Sequence, residues 1–90
     1  MRSQMTPQAA QTVALKGLAF LVNSDGPLDR FMALSGIGPG ELRERAAEPE
    51  FLAAVMDFLL ADEALLTDFC EDASIDPREL QMARQALPGA

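Results

Sequence analysis

Two stretches of the chain are apolar almost without interruption. Val13 to Val22 carries Lys16 as its single charge, and Phe51 to Leu60 carries Asp57 as its single charge. Runs of this length with helical spacing read as the central helices of a bundle, buried on most sides. Lys16 and Asp57 either meet as an ion pair or, the favoured placement, each stand at an exposed edge with the stem lying along apolar surface. Between and after these runs, apolar residues recur three and four apart in shorter segments. Leu28, Phe31 and Met32, with Leu34 at the margin, give the inward side of one short helix. Met5, Met32, Met56 and Met82 read as core filler or edge contacts rather than a methionine-lined groove.

Punctuation between the runs sets the boundaries. Thr6 before Pro7 starts a first helix that runs to about Asn23, since threonine caps free N–H groups and proline fits the first helical position. "NSDGP" ends it, Pro27 opens the second helix, and Gly36 suits its left-handed C-terminal cap. A third short helix begins near Pro39, a fourth at Pro49, a fifth after a cap at Asp62, and a sixth at Asp76-Pro77, ending before Pro88-Gly89. The expectation is an all-α fold: a compact bundle of about six short helices in a single domain over residues 1–90, with residues 1–5 disordered.

Sliding the chain against itself by 38 residues aligns Phe20 with Phe58, Leu21 with Leu59, Leu28 with Leu66, Phe31 with Phe69, Ile37 with Ile75, Pro39 with Pro77, Glu41 with Glu79 and Leu42 with Leu80. Leucine and phenylalanine match by chance between amphipathic helices. The shared Ile-x-Pro-x-Glu-Leu turn is not helix filler. The bundle is therefore expected to consist of two similar three-helix units, about 7–47 and 49–87, with the long helices at the centre.

Composition supports helices and excludes much chemistry. Apolar residues make up 49% of the 90 residues, while only three Val, two Ile and three Thr are available for strands. With no histidine, the commonest general base and transition-metal ligand are absent. No Ser, Cys or Lys has a recognisable activating partner, so no catalytic residue is assigned and no enzyme is expected. The one cysteine, Cys70, excludes an internal disulfide and reads as a small core residue, which suits a reducing cytoplasm. The first apolar run is too short to span a bilayer and lacks the features of a signal peptide. No membrane association is expected.

Fourteen acidic residues against seven basic ones give a net charge of −7. Between Ala46 and Pro77 there is no basic residue at all. Clustered acids favour a basic partner over a polyanion. Asp62, Glu63, Asp68, Glu71 and Asp72 are the candidate protein-contact residues. Asp68, Glu71 and Asp72, three and four apart, can in principle face a hard cation. A solvated acidic face is the simpler reading, so no metal or cofactor is assigned.

"LSGIGPGEL" at residues 34–42 has the look of a helix-hairpin-helix turn, which would present backbone N–H groups to a phosphate. Gly36, Ile37, Gly38, Gly40, Arg43 and Arg45 are the candidates for such contact. Glu41 in the first turn would repel the anion, and the arginines are balanced by Asp29, Glu41 and Glu44. Leu42 and Arg45 also depart from the usual motif. Its counterpart "ASIDPREL" keeps the isoleucine, proline, glutamate and leucine without the glycines, so helix capping and a hydrophobic staple account for both copies.

With its "ALKGLAFLV", "FMALSGIGPGELRERA" and "FLAAVMDFLLADEALLTDFC" segments, the chain resembles the uncharacterised family called domain of unknown function 3572, found mainly in alphaproteobacteria. The resemblance covers roughly residues 10–88. It implies a small cytoplasmic bacterial protein and carries no activity or binding residue with it. The function expected is therefore that of a small acidic, non-enzymatic protein-interaction module. A divergent helix-hairpin-helix nucleic-acid binder and a homodimer burying leftover apolar surface are the alternatives.

Overall fold

The computed structural model describes residues 5–88. Six α-helices succeed one another: α1 (Pro7–Val22), α2 (Asp25–Ser35), α3 (Leu42–Arg45), α4 (Pro49–Leu60), α5 (Glu63–Ala73) and α6 (Pro77–Gln85), with a 3-10 turn at Pro39–Glu41 leading into α3. There is no strand among the described residues. The disorder expected at residues 1–5 falls, except for Met5, outside what is described. Met5 is half-buried and packs against the core.

Each helix starts where its cap chemistry allows. Thr6 Oγ1 accepts from the Ala9 N–H at 3.1 Å, and Pro7 stands in the first turn. Asp62 Oδ1 accepts from the Leu65 N–H at 3.1 Å. At Asp76 the cap is reciprocal: Asp76 Oδ1 accepts from Arg78 N–H at 2.8 Å, while Glu79 Oε1 accepts from Asp76 N–H at 3.2 Å. Gly38 has no side chain to offer, yet Glu41 Oε1 still accepts from its N–H at 2.9 Å. α2 begins two residues earlier than Pro27, after Ser24. That serine caps nothing, because its hydroxyl donates to the Phe20 carbonyl at 2.8 Å.

Junctions 38 residues apart take matching backbone angles. Ser24 has φ −125° and ψ 102°, against −126° and 107° at Asp62. Gly36 (φ 75°) and Ser74 (φ 56°) end their helices in the left-handed region. The ring of Phe20 lies 5.4 Å from Phe69, and that of Phe58 lies 5.3 Å from Phe31.

α4 is the most enclosed element. Phe51, Leu52, Ala53, Val55, Met56 and Leu59 are all buried, and beyond its first turn only Ala54 and Asp57 are exposed. α1 crosses it at Gly17. A Cβ there would lie 2.8 Å from Leu59 Cδ1 and 2.9 Å from Met56 Cε, so glycine is what lets these two helices approach closely. α6 packs against both long helices, and Leu80 and Ala83, with Leu87 just beyond its end, are its buried anchors.

Three expectations need correction. α1 is not buried on most sides: Ala10, Val13, Ala14, Gly17, Leu18 and Leu21 form one buried stripe, but Leu15 and Val22 are 44% and 48% exposed. α4 and α6 cover one face of α1, and no described helix covers Leu15 or Val22 on the other side. Leu34 is 77% exposed rather than inward. The third helix, expected to run on from Pro39, is a single α turn at Leu42–Arg45 behind a 3-10 turn. Arg45 stands 38 residues before Ala83, where a small buried residue seats α6, and a charged side chain cannot take that place inside.

Lys16 and Asp57 do not meet. Both are exposed, and Asp57 Oδ1 instead accepts from Arg84 Nε at 2.6 Å, tying α4 to α6.

Candidate functional site

The acidic candidates lie along α5, but they are not alike. Asp62 is engaged structurally: besides capping α5, it takes Arg30 Nη2 at 3.4 Å. The Leu65 N–H, ahead of the Arg30 guanidinium, holds its carboxyl below the usual aspartate range against the opposing effect of burial. Glu63, Asp68, Glu71 and Asp72 are exposed and form no ion pair among the described residues. They spread over about two and a half helical turns rather than converging. Among the described residues no three acidic or sulfur side chains stand together so as to hold a metal ion.

The turn at residues 36–41 is occupied by its own chemistry. The Gly38 N–H, which a phosphate would need, already donates to Glu41. Ile37 is buried, and Gly36 serves the left-handed cap, where its N–H donates to the Met32 carbonyl at 2.8 Å. Gly40 has nothing within 4 Å of where a Cβ would stand, and nothing in the structure requires glycine there. Arg45 Nη1 is 2.7 Å from Glu48 Oε1, which holds its guanidinium more firmly in the charged form. Arg43 borders a shallow pocket of about 290 Å³ with Leu18, Val22, Leu42 and Ala46. Of the two arginines, Arg45 is already paired with Glu48.

Cys70 is buried. Burial, followed by the charges of Asp76 and Glu79, pushes its thiol up and away from the thiolate that nucleophilic chemistry needs.

Sequence reasoning missed a groove between α1 and α5. Its volume is about 450 Å³, and Lys16, Ala19, Phe20, Asn23, Ser24, Phe69, Asp72 and Ala73 line it. It also missed the packing of Arg30, whose guanidinium lies 5.7 Å from the centroid of the Phe58 ring while pairing with Asp62. The alignment of Phe20 with Phe58 was the one available signal that these places are related. A second opening of about 320 Å³ lies between α4, α5 and α6, bordered by Leu60, Leu66 and Arg84.

A family model described as a protein of unknown function, DUF3572, matches residues 7–90. The chain belongs to the DUF3572 family. The match begins at the first residue of α1 and takes in every helix, so the family corresponds to the whole bundle and not to one of its halves. No curated protein and no solved structure matches the chain. No described helix is long and apolar enough to cross a membrane.

Proposed function

We propose that this chain is a small cytoplasmic, non-enzymatic protein-interaction module, built from two three-helix units at about 7–47 and 49–87, that binds a basic partner through α5. The observation that carries this reading is the state of the charges on α5. Asp57, Asp62 and Asp76 are each matched by an arginine of the same chain. Glu63, Asp68, Glu71 and Asp72 are each exposed and form no ion pair among the described residues. Unmatched charge of one sign steers an oppositely charged partner and sets its orientation.

The two-unit arrangement is supported by the paired backbone angles at Ser24 and Asp62 and by the two phenylalanine contacts, which exchange under the 38-residue offset. It is also supported by Gly17 packing on Val55, its own counterpart, whose Cγ1 lies 3.6 Å from where a Gly17 Cβ would stand. A nucleic-acid reading has less support, because the Gly36, Ile37 and Gly38 N–H groups of the turn already donate to the Met32 carbonyl, Ser35 Oγ and Glu41 Oε1.

The test is affinity capture from the native organism at moderate salt, with the wild type beside a variant carrying Glu63→Gln, Asp68→Asn, Glu71→Gln and Asp72→Asn. These side chains are exposed, so the fold should persist. A partner retained by the wild type and lost by the variant is expected. Equal retention by both would sink the reading.

A further inference from the structure

Arg30 and Phe58 supply a template for a ligand that the other half of the molecule lacks. On α2, Arg30 precedes Phe31, and its guanidinium covers the Phe58 ring while Nη2 reaches Asp62. On α5, Asp68 precedes Phe69, and Phe69 packs on Phe20 as Phe31 packs on Phe58. The residue 38 positions after Arg30 is therefore a carboxylate, and the one 38 positions before Asp62 is Ser24. Over Phe20 there is no cation among the described residues. There is instead the open groove of about 450 Å³.

We infer that the groove between α1 and α5 receives an arginine side chain from the basic partner, its guanidinium over Phe20, with Asp72 of the groove lining as one carboxylate and Asp68, one turn earlier on α5 at the position that Arg30 takes on α2, as the other. This inference rests on the interaction reading above and names what it recognises. The chemistry is complementary on each side. The Phe20 face attracts a delocalised cation, and guanidinium stacks on aromatic rings better than ammonium does. Asn23, which also lines the groove, donates its Nδ2 to the Ala19 carbonyl at 3.0 Å, which leaves its Oδ1 available as an acceptor. Lys16 also lines the groove, as does Asp72, and the two do so without an ion pair within 4.0 Å. Lys16 opposes every cation there, the single arginine included, so entry relies on Asp72, Asp68 and the Phe20 ring together, and each further cation of a polybasic run is disfavoured more.

The probe is an acetylated, amidated alanine-rich peptide carrying a single arginine, titrated into the ¹⁵N-labelled protein at low ionic strength beside its single-lysine counterpart. Amide shifts should gather at Phe20, Asn23, Asp68 and Asp72, with the arginine peptide binding more tightly. Asp68→Arg supplies a cation in cis, as Arg30 does, and should weaken the peptide about tenfold, equivalent to about 1.4 kcal/mol. Glu50→Arg makes the same charge change outside the groove and should weaken it less than about threefold. Asp68→Asn, nearly isosteric, guards against misfolding of the arginine variant and should weaken binding in the same direction. Shifts spread over the acidic surface, or equal losses in Asp68→Arg and Glu50→Arg, overturn the inference. Lysate capture separates the two readings. A partner held equally by wild type and Asp68→Arg defeats the groove alone, whereas no partner held by either defeats the interaction reading beneath it.

Discussion

At residues 36–42 and again at 74–80 the chain turns a corner with nearly the same backbone and quite different side chains. The first corner uses Gly36 in the left-handed region and Gly38 at the cap position. The second uses Ser74 and Asp76. Both end with a glutamate bonded back to the cap N–H and a buried leucine. The helices that leave the two corners differ in length: α3 stops after four residues, while α6 continues for nine. Two jobs are thereby separated. Capping starts a helix, but a helix continues only where the next turns find apolar partners. Ala83 and Leu87 find them in the core that α1 and α4 provide, and Arg45 does not.

On this physical basis, the largest effects lie in the anchoring leucines. Leu80 is fully buried and Leu42 slightly less so. Leu80→Ala should cost about 3–5 kcal/mol and Leu42→Ala nearer ~2 kcal/mol, read from urea unfolding followed by circular dichroism. Equal costs would mean that α3 is seated as firmly as α6. A smaller effect, of opposite sign in the two corners, is expected at the left-handed positions. Gly36→Ala should destabilise by about 1 kcal/mol, because a Cβ is strained at positive φ, whereas Ser74→Gly should stabilise by up to about 1 kcal/mol. A destabilising Ser74→Gly would show that Ser74 contributes something beyond its backbone angle.

The smallest effect is expected at the caps themselves and shows as a pH dependence. The Arg78 N–H, followed by its guanidinium, holds the Asp76 carboxyl below the ordinary aspartate value, and Asp62 is lowered likewise. A carboxyl with a folded pKa below its unfolded value stabilises fully above the unfolded value, about 3.9, and loses that contribution as pH falls through the folded pKa. The urea midpoint should therefore fall on acidification below about pH 4. Asp76→Asn should flatten this dependence, and Gly38→Asp should steepen it by giving the first corner the cap of the second. Parallel acid profiles for wild type and both variants would count against cap titration as the cause.

Helix boundaries were legible because they rest on neighbouring residues. Thr6-Pro7, Gly36, Pro49, Asp62 and Asp76-Pro77 each perform local backbone chemistry within a few positions. The capping box at Asp76 and the acceptor role of Glu41 stem from spacing alone. The candidate site was less legible. Asp62 was legible as the cap of α5, but its pairing with Arg30, 32 residues away in the chain, was not, and that pairing removes it from the acids open to a partner. Likewise Asp57 looked like an isolated charge until α6 brought Arg84 to it. No local spacing encodes these pairs, since they depend on how the helices cross. The exposure of Leu15, Val22 and Leu34 was hidden for the same reason: an apolar run states what a helix can bury, not how many neighbours arrive to bury it.

By itself, then, the sequence determined the helical class, most of the places where helices begin and end, and the acidity of the second half. These depend on propensity, capping and charge, whose ranges are a few residues or a simple sum. Only the tertiary structure decided which acids remain unmatched, that Gly17 is where the long helices meet, and that Arg30 covers Phe58 while a groove stays open over Phe20. Those outcomes depend on helix packing, in which a single glycine or a single arginine changes what reaches what across stretches of chain far longer than one helix.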